Sequence, residues 1–303
     1  MAPAASDPIV LYNRRTRSLE TERVPGQKLL SFCYQDPLGR WLCRWLVSRP
    51  VFSRVYGWPF YQSRSRRQID AFIRHNQIDM SEVQVPPGGF RSFNDFFIRQ
   101  LKPGARTVAQ DPADLVAPAD SRLKVLSLER ETVLQVKGVS LTLAQILGTK
   151  TVPRVFDGGL CLQFRLAPCD YHRFGYIEGG FQGPVHSVGG RLYSVNPIAL
   201  RQMPAIWGGN YRHWCFIQTE HLGTLLQIEV GATVVGSIVQ HVPGGGPCSR
   251  GREKGYFQMG GSTVLVVLPP GSAEIDTDIL HYSRQGIETL VRYGERIGRI
   301  RGI

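Results

Sequence analysis

The pattern of apolar residues changes near residue 115, and this change constrains the fold more than any other feature of the sequence. Beyond it, short apolar runs alternate with turns rich in Gly, Pro and Asp, and several runs carry the β-branched residues that favour strands. The runs are Arg122–Leu128, Leu160–Leu166, Leu192–Val195, His213–Gln218, Leu225–Val230, Val234–Val239 and Thr263–Leu268. We therefore expect a mainly antiparallel β body, with a short helix over Gly286–Gly294 in the tail.

Residues 28–80 have a helical pattern instead. Pro37 and Pro50 bracket the segment Leu38–Arg49, where Trp41, Leu42, Trp45 and Leu46 fall on one stripe and the arginines lie largely outside it. Two interpretations stay open: this helix packs on its own domain, or it lies in a membrane interface with its tryptophans at headgroup level; both hold if it packs on one side and touches lipid with the other. Ser65–Arg74 and Phe93–Arg99 are also predicted to be helical.

The charge of the chain narrows the range of partners. The formal net charge is +12, and residues 1–80 hold 13 Lys/Arg against 6 Asp/Glu, which is +7 by subtraction. Such a basic region attracts nucleic acid or an anionic lipid surface, and no nucleic-acid recognition motif is present. No apolar run is long enough to span a bilayer and no signal peptide is recognisable, so membrane contact should be peripheral.

Cysteine spacing excludes the common metal and disulfide motifs. The six cysteines include no Cys-x-x-Cys pair, so we expect no metal site and no disulfide framework, which favours a reducing compartment.

Three polar residues stand in positions suited to chemistry. Ser262 follows Gly260-Gly261 and opens an apolar run; strain at this junction would favour attack of its hydroxyl on the preceding carbonyl, although most such triplets are simple turns. Asp120 precedes a predicted strand, and the alternative is a turn-forming aspartate. His172 follows another strand, and a packed, hydrogen-bonded histidine is the alternative there.

Taken together, the order and spacing of these segments resemble the phosphatidylserine decarboxylase family, in its shorter bacterial-type branch. The resemblance runs from about Tyr12 to Ile297. The segments that carry it are Ser92–Phe97, Leu101–Arg106, Pro118–Asp120, Val136–Gly138, Asp170–Phe174, Tyr193–Pro197, Val230–Thr233, Gly255–Phe257 and Gly260–Thr263.

The resemblance implies a self-cleaving proenzyme. It implies a cut between Gly261 and Ser262 and the conversion of Ser262 into a pyruvoyl group. This group would form a Schiff base with the substrate amine, so that no external cofactor is needed. The products would be a β chain, 1–261, and an α chain, 262–303, of 303 − 261 = 42 residues that stay associated. Asp120 corresponds to the orienting carboxylate of the family and His172 to a histidine that assists decarboxylation.

The implied activity is conversion of phosphatidylserine to phosphatidylethanolamine and CO₂ at an anionic membrane, a step of phospholipid biosynthesis. The expected fold class is α+β, with a basic, helical, membrane-facing region over residues 1–90 and a β-rich catalytic domain over 91–303. The family suggests a homodimer, and the expected location is peripheral, on the cytoplasmic side of the cell membrane.

One departure from the family pattern affects the site. A second histidine usually follows three residues after the first and takes part in self-cleavage, but here the position is Gly175; Ser121 likewise stands where glycine is usual. Three explanations stay open: His172 serves both steps, which we favour; His186, His213 or His241 substitutes; or cleavage is slow or absent. The alternative functions are decarboxylation of a soluble amino acid and an unprocessed, lipid-binding pseudoenzyme.

Overall fold

The structure is a computed structural model that describes residues 8–24, 26–136, 139–203, 206–233, 237–259 and 262–302. Four of its α-helices lie in the first 80 residues, as expected. The α-helices are α1 (Gln27–Gln35), α2 (Pro37–Leu42), α3 (Pro50–Tyr61), α4 (Ile69–Asn76), α5 (Phe93–Phe97), α6 (Leu143–Leu147), α7 (Pro197–Gln202), α8 (Ile206–Gly209) and α9 (Thr277–Arg284). A π-helix, Cys43–Val47, continues α2, and 3₁₀-helices cover Ser63–Gln68, Met80–Glu82, Arg130–Thr132 and Arg154–Phe156.

Local chemistry explains the helical hairpin of α1 and α2. Asp36 caps α2, because its Oδ1 accepts from the amides of Leu38 and Gly39 at 2.9 and 3.0 Å. Gly39 lets α2 approach α1 closely, since a Cβ here would lie 1.9 Å from the carbonyl oxygen of Phe32. The predicted helix over Leu38–Arg49 is thus confirmed as α2 with its π-helical continuation, and the predicted helix over Ser65–Arg74 is 3₁₀ in its first part.

The strands form a mainly antiparallel body, which confirms the expected fold class. They are β1 (Val10–Asn13), β2 (Ser18–Thr21), β3 (Val83–Gln84), β4 (Gln100–Leu101), β5 (Asp114–Val116), β6 (Ser121–Ser127), β7 (Val133–Val136), β8 (Val139–Thr142), β9 (Leu160–Leu166), β10 (Arg173–Gly175), β11 (Gly180–Gln182), β12 (His186–Val188), β13 (Arg212–Thr219), β14 (Thr224–Gly231), β15 (Ile238–Gln240), β16 (Gly246–Cys248), β17 (Glu253–Phe257), β18 (Ser262–Leu268), β19 (Ala273–Ile275), β20 (Glu288–Val291) and β21 (Arg296–Ile300).

Among the described residues the largest sheet has eleven strands, in the order β16-β11-β13-β14-β18-β9-β6-β20-β1-β2, with β12 beside β13. Its pairs are antiparallel except β1 with β20. Strand β18 lies between β14 and β9, with Ser262 opposite Gly231 on one side and Leu166 on the other. Smaller sheets are β10-β17-β15 and β19-β21-β5, with the pairs β3-β4 and β7-β8.

Two sequence predictions were wrong. The segment Leu192–Val195 is not a strand, because side chains and not a neighbouring strand bind its backbone. The carboxamide of Asn210 binds both the amide and the carbonyl oxygen of Tyr193, and Tyr34 Oη accepts from the amide of Ser194. Gly286–Gly294 is not a helix but contains β20, in which buried Thr289 pairs with Leu123 of β6. The predicted strand Val234–Val239 lies partly outside the described residues, and its described end enters β15 at Ile238.

The large sheet buries side chains on both faces. Val264 and Val266 of β18 point to one apolar cluster, and Leu265 and Val267 to another beneath α6. A third apolar cluster contains residues of α3, α4 and α5 and so includes residues on both sides of residue 90. The expected division into domains 1–90 and 91–303 stays a prediction. In the described part of the chain, no helix has the length and apolar character needed to cross a bilayer.

Candidate active site

Ser262 is the first residue of β18 and is fully buried. None of the described residues offers its hydroxyl a hydrogen bond. A buried hydroxyl without a partner loses its solvation without compensation, so it does not stabilise the fold through hydrogen bonding. Gly260 and Gly261, which include the predicted cleavage site, lie outside the described residues.

His172 is completely buried, and two contacts fix its ring. The ring stacks on Phe97 with centroids 3.9 Å apart. Its Nδ1 lies 3.0 Å from the carbonyl oxygen of Asp170. Because a carbonyl can only accept, Nδ1 carries the proton, and Nε2 is then the basic nitrogen of the neutral ring.

The turn that precedes His172 is held by two buried arginines. Arg99 Nη2 donates to the carbonyl oxygens of Cys169 and Asp170 at 2.9 and 3.0 Å. Arg122 pairs with the carboxylate of Asp170, which also accepts from the amide of Ala167 at 2.7 Å. The turn is therefore rigid, and it presents His172 in one orientation.

Asp120 has well-defined partners. The guanidinium of Arg106 donates Nε to Oδ1 at 2.9 Å and Nη2 to Oδ2 at 2.6 Å, and the amide of Tyr293 donates to Oδ1 at 2.8 Å. Asp120 lines a polar cavity of about 290 Å³ together with Arg99, Asp170 and Tyr171.

A larger, apolar cavity of about 520 Å³ lies between the N-terminal helices and the body. Leu166 of β9, which pairs with Ser262 of β18, lines it together with Phe97, which stacks on His172, and with Met259. Its other walls come from the N-terminal helical region and from segments of the β body; these residues are Val24, Gly26, Leu29, Leu30, Cys33, Val47, Phe52, Tyr56, Phe60, Phe72, Phe93, Arg165, Ala167, Pro168, Ser194, Val195, Asn196 and Thr233. The structure thus brings the neighbours of Ser262 and His172 to one cavity and places Asp120 in another.

Among the three substitute histidines considered from the sequence, only His213 is placed on the Ser262 face of the sheet. His213 lies opposite Glu229, which lies opposite Val264, and Val264 shares a face with Ser262 two residues away. Burial lowers the pKa of His213, whose Nε2 lies 2.7 Å from Tyr211 Oη. His186 instead pairs with Trp214, and His241 bonds to Glu253.

Most of the chain matches one known protein family. A sequence model described as phosphatidylserine decarboxylase matches residues 93–299, a range that includes all three candidate residues. The chain belongs to the phosphatidylserine decarboxylase family.

Curated relatives extend the match over nearly the whole chain. Three proteins named phosphatidylserine decarboxylase proenzyme are 37% identical (Clostridium botulinum, strain Alaska E43), 38% identical (Desulfitobacterium hafniense, strain Y51) and 39% identical (Clostridium kluyveri). Each alignment covers 96% of this chain and 98% of the relative. The first 92 residues, outside the family model, are thus largely included in the similarity.

The departure from the family pattern at Gly175 has a structural counterpart in Tyr293. A Cβ at position 175 would lie 2.0 Å from Tyr293 Oη and 2.7 Å from the carbonyl oxygen of Arg252. The phenol is held there by donation to the carbonyl oxygen of Gly251 at 3.1 Å, while the amide of Tyr293 bonds Asp120. A histidine at position 175 is therefore incompatible with this position of Tyr293. Ser121, the other departure, is buried and donates to the carbonyl oxygen of Ala119 at 3.1 Å.

Several of these residues were missed by sequence reasoning. Arg99, Arg122 and Tyr293 hold the candidate residues, yet nothing in their local sequence separates them from surface residues. Arg106 belongs to a segment that carried the family resemblance, which was the one available signal for its role.

Proposed function

We propose that this chain is a phosphatidylserine decarboxylase proenzyme that cleaves itself between Gly261 and Ser262 and then converts phosphatidylserine to phosphatidylethanolamine and CO₂. The observation that carries the proposal is the buried Ser262 hydroxyl, without a described partner, one strand from a wall of the apolar cavity. This position fits a residue that is converted into a prosthetic group and not one that serves stability alone.

Self-cleavage needs only groups of the chain and water. Ser262 Oγ adds to the carbonyl carbon of Gly261, and the peptide C–N bond breaks to give an ester and a free amine at Ser262. Removal of the Ser262 Cα proton then expels the Gly261 carboxylate, and water replaces the nitrogen as ammonia. A base must take the Oγ proton, and we assign this role to His172, whose ring is already oriented through Nδ1.

After cleavage, the chain's own residues bind and orient the lipid. The pyruvoyl group supplies a carbonyl that accepts the electrons left by the departing CO₂, which no ordinary side chain does well. Phe97 and the turn at Cys169–Asp170 hold His172, which we place beside the reacting carbon as the group that delivers a proton there. The α chain stays bound because β18 lies between β9 and β14, both of which belong to the β chain.

The apolar cavity supports a lipid substrate over a soluble amino acid. Residues of α1 and α3 line it in part, and the same helical region exposes an apolar face, in which Trp41, Trp45 and Trp58 are 59%, 53% and 63% exposed. The segment that contains Trp41 and Trp45 packs on the domain through Gly39 and Cys43, which are buried, so it packs on one side while its tryptophans face outward. We propose that this face and the basic N-terminal region rest on the cytoplasmic surface of an anionic membrane. The homodimer stays a prediction.

Intact mass spectrometry of the purified protein is the first test. We expect two chains, with the 42-residue α chain starting in a pyruvoyl group and therefore reacting with hydroxylamine. Release of CO₂ is then measured from phosphatidylserine vesicles and from free serine, and activity confined to the vesicles is expected. A single uncut chain would favour the pseudoenzyme, and activity on free serine would favour the soluble substrate.

A further inference from the structure

The two residues before Gly260-Gly261 are held by side chains from the N-terminal third of the chain. Asn94 Oδ1 accepts a hydrogen bond from the amide of Met259 at 3.1 Å. Tyr61 Oη donates to Gln258 Oε1 at 3.0 Å, and the amide of Gln258 donates to the carbonyl oxygen of Ser237 at 3.2 Å. The Asn94 and Tyr61 contacts join segments 165 and 197 residues apart in sequence.

Asn94 is itself held rigidly in α5. Ser92 caps this helix by accepting from the amide of Asp95 at 3.1 Å, and Ser65 Oγ accepts from the amide of Phe93 at 2.8 Å. Phe93, Phe96 and Phe97 are all buried, and Asn94 is 6% exposed. A buried carboxamide oxygen on a fixed helix defines the position of the amide that it binds.

The same short helix also fixes His172. Phe97 stacks on the imidazole, and Phe97 follows Asn94 by three residues, a spacing that places two side chains on one side of a helix. One rigid element therefore holds both the proposed base and the chain just before the proposed cut. On the other side of the cut, the β9 and β14 ladders hold Ser262.

We infer that Asn94, supported by Tyr61, is a positioning residue for self-cleavage, an inference that rests on the proposed function. Attack of Ser262 Oγ on the preceding carbonyl requires close alignment, and two glycines between fixed points have more conformational freedom than any other pair. The Asn94–Met259 hydrogen bond reduces this freedom by fixing the upstream end of the segment to be cleaved.

The test is a time course of cleavage during cell-free synthesis of the full chain with labelled methionine. The four methionines all precede Ser262, so the label follows conversion of the proenzyme into the β chain. Asn94→Leu removes the acceptor at similar size, and we expect cleavage to slow about tenfold or more. Asn94→Asp keeps the acceptor oxygen and should cleave faster than Asn94→Leu. Tyr61→Phe, at a partly exposed residue, should slow cleavage about threefold.

Asn76→Leu is the matched control, because the carboxamide of Asn76 bonds to Phe72 within α4. This variant should cleave at the wild-type rate. Wild-type cleavage in Asn94→Leu would overturn the inference, as would equal rates for Asn94→Leu and Asn94→Asp. Should Asn94→Leu fail to fold, Tyr61→Phe decides, with slowed cleavage supporting the inference and wild-type cleavage overturning it. An uncut wild-type chain would instead refute the proposed function itself.

Discussion

Arg99 and His172 share one acceptor, the carbonyl oxygen of Asp170, which lies 3.0 Å from both Arg99 Nη2 and His172 Nδ1. The guanidinium therefore helps to set the position of the imidazole through this shared acceptor. Arg99 is almost fully buried, and burial lowers its pKa although nearby acidic groups, Asp170 first among them, favour the charged form.

Replacement of Arg99 should show whether this residue positions His172 or binds the substrate. We expect Arg99→Met to lower kcat for phosphatidylserine by about tenfold to a hundredfold with little change in KM, because His172 loses its orientation while the apolar cavity remains. Steady-state kinetics on vesicles measure this, with exposed Arg284→Met as the control. A rise in KM at constant kcat would place Arg99 in substrate binding instead.

Gly175 and Tyr293 should behave as a coupled pair. Gly175→Ala puts a Cβ against the Tyr293 phenol and should lower the free energy of unfolding by about 1–3 kcal/mol. Tyr293→Leu frees this space, so the double variant should be more stable than the sum of the single effects predicts. Urea denaturation of all four proteins gives the coupling energy, measured here and in the stability tests below in the uncleaved Ser262→Ala background so that a single chain unfolds. Gly189→Ala, where a Cβ meets nothing within 4 Å, should be nearly neutral.

Replacing one member of the buried ion pair Lys254–Glu229 should lower the free energy of unfolding more than replacing both. Its side chains are 1% and 0% exposed, with Nζ and Oε1 2.8 Å apart. Lys254→Met leaves a buried carboxylate and should cost about 3–5 kcal/mol of unfolding free energy. Adding Glu229→Leu removes that charge and should recover part of the loss. A double variant less stable than Lys254→Met would contradict this account.

Glu22 should make the free energy of unfolding fall at acid pH. Burial alone would raise its pKa, but Arg165 and Arg122 hold the pKa below the ordinary value of 4.5. A folded-state pKa below the unfolded one gives stabilisation that is complete above the ordinary value and is lost as the pH falls through the folded pKa. Unfolding free energies from pH 7 down to pH 3 should therefore fall more steeply for wild type than for Glu22→Gln.

The exposed tryptophans should control membrane binding and not maturation. Changing Trp41, Trp45 and Trp58 together to Gln should lower partitioning onto anionic vesicles by more than about tenfold, because interfacial affinity scales with buried apolar area. Sedimentation with vesicles measures this at low and high salt. Phe181→Gln, at an exposed apolar residue of β11, should bind as wild type does, and all these variants should still be cleaved.

The sequence predicted elements that local pattern determines. The strands that contain Leu160–Leu166 and Thr263–Leu268 were found because β-branched and apolar runs between turns identify buried strands. Leu192–Val195 has a similar composition, yet Asn210 and Tyr34 satisfy its backbone instead of a neighbouring strand, and both partners are distant in sequence. β20 was missed because a strand of four residues is too short for a recognisable alternation of apolar and polar residues.

The site was predictable only as far as motifs extend. Ser262, Asp120 and His172 came from segments that resemble a family, and their roles stay proposals. The contacts of Arg99, Tyr293 and Asn94 depend on which distant segments meet, and a single sequence does not contain that information.

The position of β18 inside the large sheet has a consequence for the lifetime of the protein. The proenzyme folds as one chain, but after the proposed cut its 42 C-terminal residues would be a separate molecule whose strands interlock with the remainder. Denatured mature protein would then have to reassemble from two pieces, with a yield that depends on their concentration. Its folded state would be kept by slow unfolding more than by equilibrium, and each molecule would have only one opportunity to fold as a single chain.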